Sequence, residues 1–125
     1  MRSIALKELS LTIVQEDRGR VPKDETLLMK FPHVELYIAN AVRCLAFDVD
    51  GPLLDTNVAK VINRVFSSSL LGSGCVKTKN AKAVANMVPK GRARAFNLSI
   101  LDFAASIRLP KCPKCPIFNT CDYGT

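Results

Sequence analysis

No stretch of this chain is long enough and uncharged enough to cross a membrane. The opening residues Met1-Arg2-Ser3-Ile4-Ala5-Leu6-Lys7-Glu8 place charges inside what would be the apolar core of a signal peptide, so no targeting segment is expected. Internal repeats and low-complexity tracts are absent. Almost nothing reads as strand, which makes the fold class all-α. Acidic side chains are scarce: 11 Asp and Glu stand against 18 Lys and Arg, a net charge of +7. That balance suits a phosphate-bearing partner, but it is also common in proteins that never touch DNA.

What is present fits one domain, or part of one, in 125 residues. Cysteine is the exception to the ordinary composition, with five residues, three of them in the last fourteen positions. An odd number without an export signal suggests metal ligation more than disulfides, and a cytoplasmic, nucleoid-associated location.

The chain is organised around Pro52 to Phe66. A turn leads to Asp55, a favoured helix N-cap residue, and Val58, Val61, Ile62, Val65 and Phe66 follow at i, i+3, i+4, i+7 and i+8 of one helical stripe. Lys60, Asn63 and Arg64 fall off that stripe, toward solvent or a partner. Asp55 is thereby delivered to the positive end of a helix, where the macrodipole and free N–H groups favour an ionised carboxylate. An ordinary cap is the simpler explanation of the same residue, and the neighbouring segments must decide between them.

Upstream, residues 4 to 16 read as a helix ended by Arg18-Gly19-Arg20. Pro22 opens a short helical stretch with Asp24 and Glu25 in its first turn. Phe31 to Leu36 make a tight break, and Tyr37 to Phe47 a mostly apolar, buried helix. Asp48 to Pro52 form a polar turn. Downstream come a small-residue loop, Ser67 to Gly74, then Cys75, a weaker helix over Lys77 to Val88, and a break at Pro89-Lys90-Gly91. Arg92 to Ile107 read as a stronger helix with Ala95, Phe96, Ile100, Phe103, Ala104 and Ile107 on one side. The Pro- and Cys-rich tail from Leu109 needs cross-linking to be ordered. The division expected is a helical domain over 1–107 and a Cys-rich loop over 108–125.

Four markers occur in order: Phe31-Pro32-x-Val34-x-x-Tyr37-x-Ala39, Leu54-Asp55-Thr56-Asn57-Val58, Phe96-Asn97-Leu98-x-x-x-Asp102-Phe103, and Cys112-x2-Cys115-x5-Cys121. With them the chain resembles the helix-hairpin-helix base-excision DNA glycosylases of the endonuclease III superfamily, from about Ile4 to Tyr123. Ile62-Asn63-Arg64 and Val88-Pro89-x-Gly91 look most like the mismatch-specific thymine/uracil enzymes, with adenine glycosylases acting opposite guanine or oxidised guanine as near neighbours. The resemblance implies hydrolysis of the N-glycosidic bond of a mismatched base in double-stranded DNA. Asp55 would stabilise positive charge developing on the sugar and help orient water. The base is first flipped from the stack. Bifunctional relatives carry a Schiff-base lysine where this chain has Tyr37, which implies base release without strand cleavage. Tyr37 also fits as an aromatic at the edge of the core. The DNA-facing set carried over is His33, Val34 and Glu35 of the hairpin with Thr56, Asn57, Lys60 and Arg64. Cys112, Cys115 and Cys121 would be the closing ligands of a [4Fe-4S] cluster.

Three departures accompany the likeness. The family hairpin is usually Pro-Gly-Val-Gly, whose glycines let backbone N–H groups approach a phosphate; here it is Pro32-His33-Val34-Glu35. His33 is either a compensating phosphate contact or a solvated hairpin residue. The first cluster ligand is replaced by Arg108, with a contracted Leu109-Pro110-Lys111 linker, leaving a cluster, a zinc held by three thiolates, or no metal. The family's N-terminal helices are not in this sequence, and a gene fragment, a truncated paralogue or one half of a split enzyme would explain it. The competing readings are an inactive remnant that binds DNA through Lys60, Arg64, Lys90, Arg92 and Arg94, and a small metal-binding module built on the tail cysteines.

Overall fold

A computed structural model describes residues 1–66, 82, 84–107, 109 and 111–124. Among these residues the fold is helical with no strand. Five helices run in order: α1 Arg2–Glu16, α2 Glu25–Leu28, α3 Leu36–Phe47, α4 Thr56–Val65 and α5 Ala93–Ser106. Two 3-10 turns follow, Cys112–Lys114 and Phe118–Thr120. The Ser67–Gly74 loop and Cys75 lie outside the described residues, as do Arg108 and Pro110. So does most of the Lys77–Val88 helix, of which Lys82, Val84 and Ala85 are helical.

Each boundary has a local cause. α1 stops where Arg18 and Gly19 turn left-handed, at φ 53° and 78°, and the Gly19 N–H returns to the Ile13 carbonyl at 3.0 Å. Asp24 caps α2 by accepting from the Leu27 N–H at 3.0 Å. Arg43 Nη1 donates to Glu25 Oε2 at 2.6 Å and ties α3 to that short helix. α3 ends at Asp48, left-handed at φ 52°, with the Val49 N–H returned to Arg43 O at 3.0 Å.

The main core lies between α4 and α5, where Leu54, Val58, Val61, Ile62, Val84 and Ala104 are buried and Ile100, Phe103 and Ile107 flank them. Burial of one such aliphatic side chain contributes roughly 1.5–3 kcal/mol, enough for this stripe to hold α4 in place. A second cluster, Leu28, Phe31 and Ala39, seats α2, the hairpin and α3 on Leu9 and Ile13 of α1. Cys44, Val88 and Ala93 form a third, next to Phe96.

Several expectations change in the folded chain. Phe66 lies one residue beyond α4, 54 % exposed, because the helix ends before its turn reaches the core. Ala95 is exposed as well, and Asn97 takes the inward position on α5. The tail is also held to α4 by backbone hydrogen bonds: the Asp122 N–H donates to Val65 O at 3.0 Å and the Tyr123 N–H to Arg64 O at 3.2 Å. These bonds satisfy carbonyls that the end of a helix leaves without partners. α1 buries none of its residues, and Ile4, Leu6, Leu11 and Val14 are all largely exposed.

Candidate active site

Asp55 takes extended backbone angles immediately before α4, and its Oδ1 accepts the Val58 N–H at 2.7 Å. The side chain is half-buried, and Oδ2 takes no hydrogen bond among the described residues. One carboxylate oxygen is thus anchored while the other is left for a ligand. Behind Asp55, buried Leu53 and Leu54 pin the chain to the core, so the carboxylate stands on a rigid pedestal.

Tyr37 occupies the first turn of α3 and is half-buried. Burial, and secondarily the negative charge of Asp55, push its phenol above the ordinary value of 10.0. The phenol therefore keeps its proton and senses the charge of Asp55. The fold thus puts the Tyr37 phenol within electrostatic reach of Asp55.

The remaining candidates spread over two further places. In the hairpin, His33 is left-handed at φ 63° and its Nε2 lies 2.6 Å from Glu8 Oε2 of α1. Val34 packs partly into the second core cluster, and Glu35 is exposed before α3. On α4, Thr56 is exposed, while Asn57, Lys60 and Arg64 line one cavity of about 550 Å³ against α5. Arg64 reaches beyond it: Nη1 donates to Ile107 O at 3.4 Å, and the guanidinium lies 5.9 Å from the Tyr123 ring centroid. Lys90, Arg92 and Arg94 are exposed around the start of α5.

Two residues with a part in this site had no site role in the sequence reading, where Asn97 stood only as a family marker and Asp50 only in a polar turn. Asn97 is 1 % exposed and bonded to the backbone of Gly51 and Leu53. Asp50 Oδ2 accepts the Gly91 N–H at 2.8 Å, where Gly91 is left-handed at φ 70°. The available signal was a polar residue, Asn97, amid the apolar positions of α5, since a buried amide has to find partners.

Comparison with known proteins gives these positions a context. No family model matches the chain. Over 125 residues it is 36 % identical to a thymine/uracil-DNA glycosylase of Methanothermobacter thermautotrophicus, covering 98 % of this chain and 57 % of that one. An adenine DNA glycosylase of Mycolicibacterium smegmatis is 29 % identical over 120 residues, covering 93 % of this chain and 40 % of its own length. A solved thermostable thymine-DNA glycosylase superimposes with a TM-score of 0.87 at 34 % identity, over 98 % of this chain and 58 % of that structure. The chain belongs to the endonuclease III superfamily of helix-hairpin-helix DNA glycosylases. It spans a little over half the length of the thymine glycosylase relatives it matches.

Within this superfamily, the chain has a hairpin that departs from the usual Pro-Gly-Val-Gly. The left-handed position, which glycine adopts without steric cost, is filled by His33, and the ring is drawn to Glu8. The implied [4Fe-4S] cluster meets a clear obstacle. Cys112, Cys115 and Cys121 line a common cavity of about 440 Å³, but Lys111 and Lys114 share its wall and, among the described residues, no fourth thiol does. Cys44 is buried in the third core cluster, where its sulphur receives Asn97 Nδ2 at 3.4 Å. Among the described residues no three His, Cys, Asp or Glu side chains converge as metal ligands. A cubane held by four thiolates does not fit the residues described.

Proposed function

We propose that this chain supplies the catalytic carboxylate of a monofunctional DNA glycosylase that releases thymine or uracil opposite guanine from double-stranded DNA. The observation that carries the reading is the Asp55 carboxylate itself: anchored through Oδ1 to Val58 N at 2.7 Å, with Oδ2 open and its charge felt by Tyr37. The relative named thymine/uracil-DNA glycosylase, at 36 % identity, supports the choice of base.

In the proposed reaction the C1′–N bond breaks and its electron pair leaves with the base. The sugar gains oxocarbenium character, which a fixed anion in a partly water-excluded site stabilises more than bulk water does. Water then forms the new C1′–O bond, one of its protons passes to solvent by way of Asp55, and the departing base takes up a proton. Tyr37 has no amine, so no imine forms with the sugar and the strand stays intact. The remainder of the glycosylase domain, in the same polypeptide or a separate one, seats on α1 where Ile4, Leu11 and Val14 are exposed along one side.

The test incubates the full polypeptide with duplexes carrying G·T, G·U and A·G pairs, alongside Asp55→Asn. The expected product is an abasic site from G·T and G·U that is cut only after alkali, and its loss in Asp55→Asn. Release that persists in Asp55→Asn, or a strand cut before alkali, overturns the proposal. Release of adenine alone would reassign the base.

A further inference from the structure

Asn97 is a buried polar side chain with both ends of its amide committed. It sits in α5, 1 % exposed, with Oδ1 accepting the Leu53 N–H at 3.0 Å and Nδ2 donating to Gly51 O at 2.7 Å and Cys44 Sγ at 3.4 Å. A buried N–H or C=O stripped of its partner costs about 1–3 kcal/mol, so the Gly51–Leu53 segment holds the conformation that meets this amide. The segment is fastened again at Asp50, which receives the Gly91 N–H at 2.8 Å, but that bond is exposed and water can replace it.

The two sides that Asn97 joins are the two that carry the candidate pair. Leu53 lies two residues before Asp55, separated from it only by buried Leu54. Cys44 lies seven residues after Tyr37 on α3, two turns along the same helical face. One amide therefore links the loop that delivers the carboxylate to the helix that delivers the phenol, from a third helix that carries neither.

Building on the glycosylase reading, we propose that Asn97 is a positioning residue that fixes where the Gly51–Leu53 segment places Asp55 relative to α3, and through it the rate of base release, without touching the substrate. A displacement on the order of 1 Å at a reacting group can lower a rate about a hundredfold, and the loop has no other buried tether of this kind among the described residues.

The experiment uses the full polypeptide with Asn97→Ala, Asn97→Asp and, as a packing control on the same helix, Ile100→Ala. Two readouts are taken: single-turnover base release from a G·U duplex, and the titration of the Tyr37 phenol by ultraviolet absorbance with Tyr37→Phe to assign it. Asn97→Ala is expected to move the Tyr37 titration down toward its ordinary value, as Asp55→Asn does, and to slow release by about a hundredfold with KM for the duplex little changed. Asn97→Asp keeps an acceptor for Leu53 and falls between Asn97→Ala and the unsubstituted protein. Ile100→Ala loses stability and leaves the Tyr37 titration where it was. An unmoved titration in folded Asn97→Ala overturns the proposal, as does an equal shift in Ile100→Ala. If Asn97→Ala does not fold, Asn97→Asp is judged by the same criteria. Should the unsubstituted protein release no base at all, the glycosylase reading fails, while the Tyr37 titration still decides the role of Asn97.

Discussion

The guanidinium of Arg64 lies 5.9 Å from the centre of the Tyr123 ring, so the last turn of α4 and the end of the tail are held together by a cation against an aromatic face. The same guanidinium donates to Ile107 O, and the backbone of Asp122 and Tyr123 closes on the carbonyls of Val65 and Arg64. Among the described residues, hydrogen bonds and a cation–π contact thus both tie the tail to α4. Arg64→Ala is expected to cost about 1 kcal/mol and to speed amide hydrogen exchange at Asp122 and Tyr123. Exchange left unchanged at both amides would show that Arg64 does not hold the tail.

Asp55 performs a structural task and, in the proposed reaction, a chemical one, and two substitutions separate them. Asn caps helices nearly as well as Asp, whereas Ala removes the acceptor and costs about 0.5–2 kcal/mol. Asp55→Asn should therefore melt close to the unsubstituted protein yet release no base. Asp55→Ala should melt lower and be equally inactive. Calorimetry paired with the G·U assay checks both, and residual release in either variant would assign the carboxylate to capping alone.

His33 sits in the left-handed region at φ 63°, where a side chain costs on the order of 1–2 kcal/mol relative to glycine. Its contact with Glu8 joins two exposed side chains, and such pairs contribute about 0–1 kcal/mol. The strain outweighs the pair. His33→Gly should thus match or exceed the thermal stability of the native chain, and His33→Ala should fall below it. Thermal melts of the three proteins at one pH settle the order, and a His33→Gly protein that melts lower would mean the pair matters more than the strain.

The Tyr37 phenol is raised above its ordinary value of 10.0 by burial first and by Asp55 second. The folded protein then holds that proton in a range where the unfolded chain has released it. The contribution to stability is full below the ordinary phenol value and disappears as pH rises from there through the folded value. Denaturant midpoints measured upward from neutral pH should decline only in that alkaline window. Tyr37→Phe should remove this part of the decline, and Asp55→Asn should bring the upper limit of the window down.

Much of the architecture could be read directly from residue order. The stripe Val58, Val61, Ile62 and Val65 specifies an amphipathic helix, and Asp55 ahead of it specifies where that helix starts, because capping and periodicity act over a few neighbouring residues. Gly19 after α1 was legible on the same grounds, whereas Asp24, read as a first-turn residue, is the cap from which α2 starts. The likeness of the hairpin, the Asp55 segment and the tail cysteines to the endonuclease III superfamily was carried by linear spacing too.

Tertiary structure alone decided which side chains meet. Asn97 stood in the sequence as part of a family marker without a partner, and only packing brought it 3.0 Å from the N–H of Leu53, 44 residues away. Arg64 was expected to face solvent or a partner, and the folded tail lies across it; Tyr37 comes within electrostatic reach of Asp55 only when α3 and α4 are placed. Local chain chemistry sets where helices begin and end, whereas a buried polar group takes whatever partner the assembled core leaves within reach.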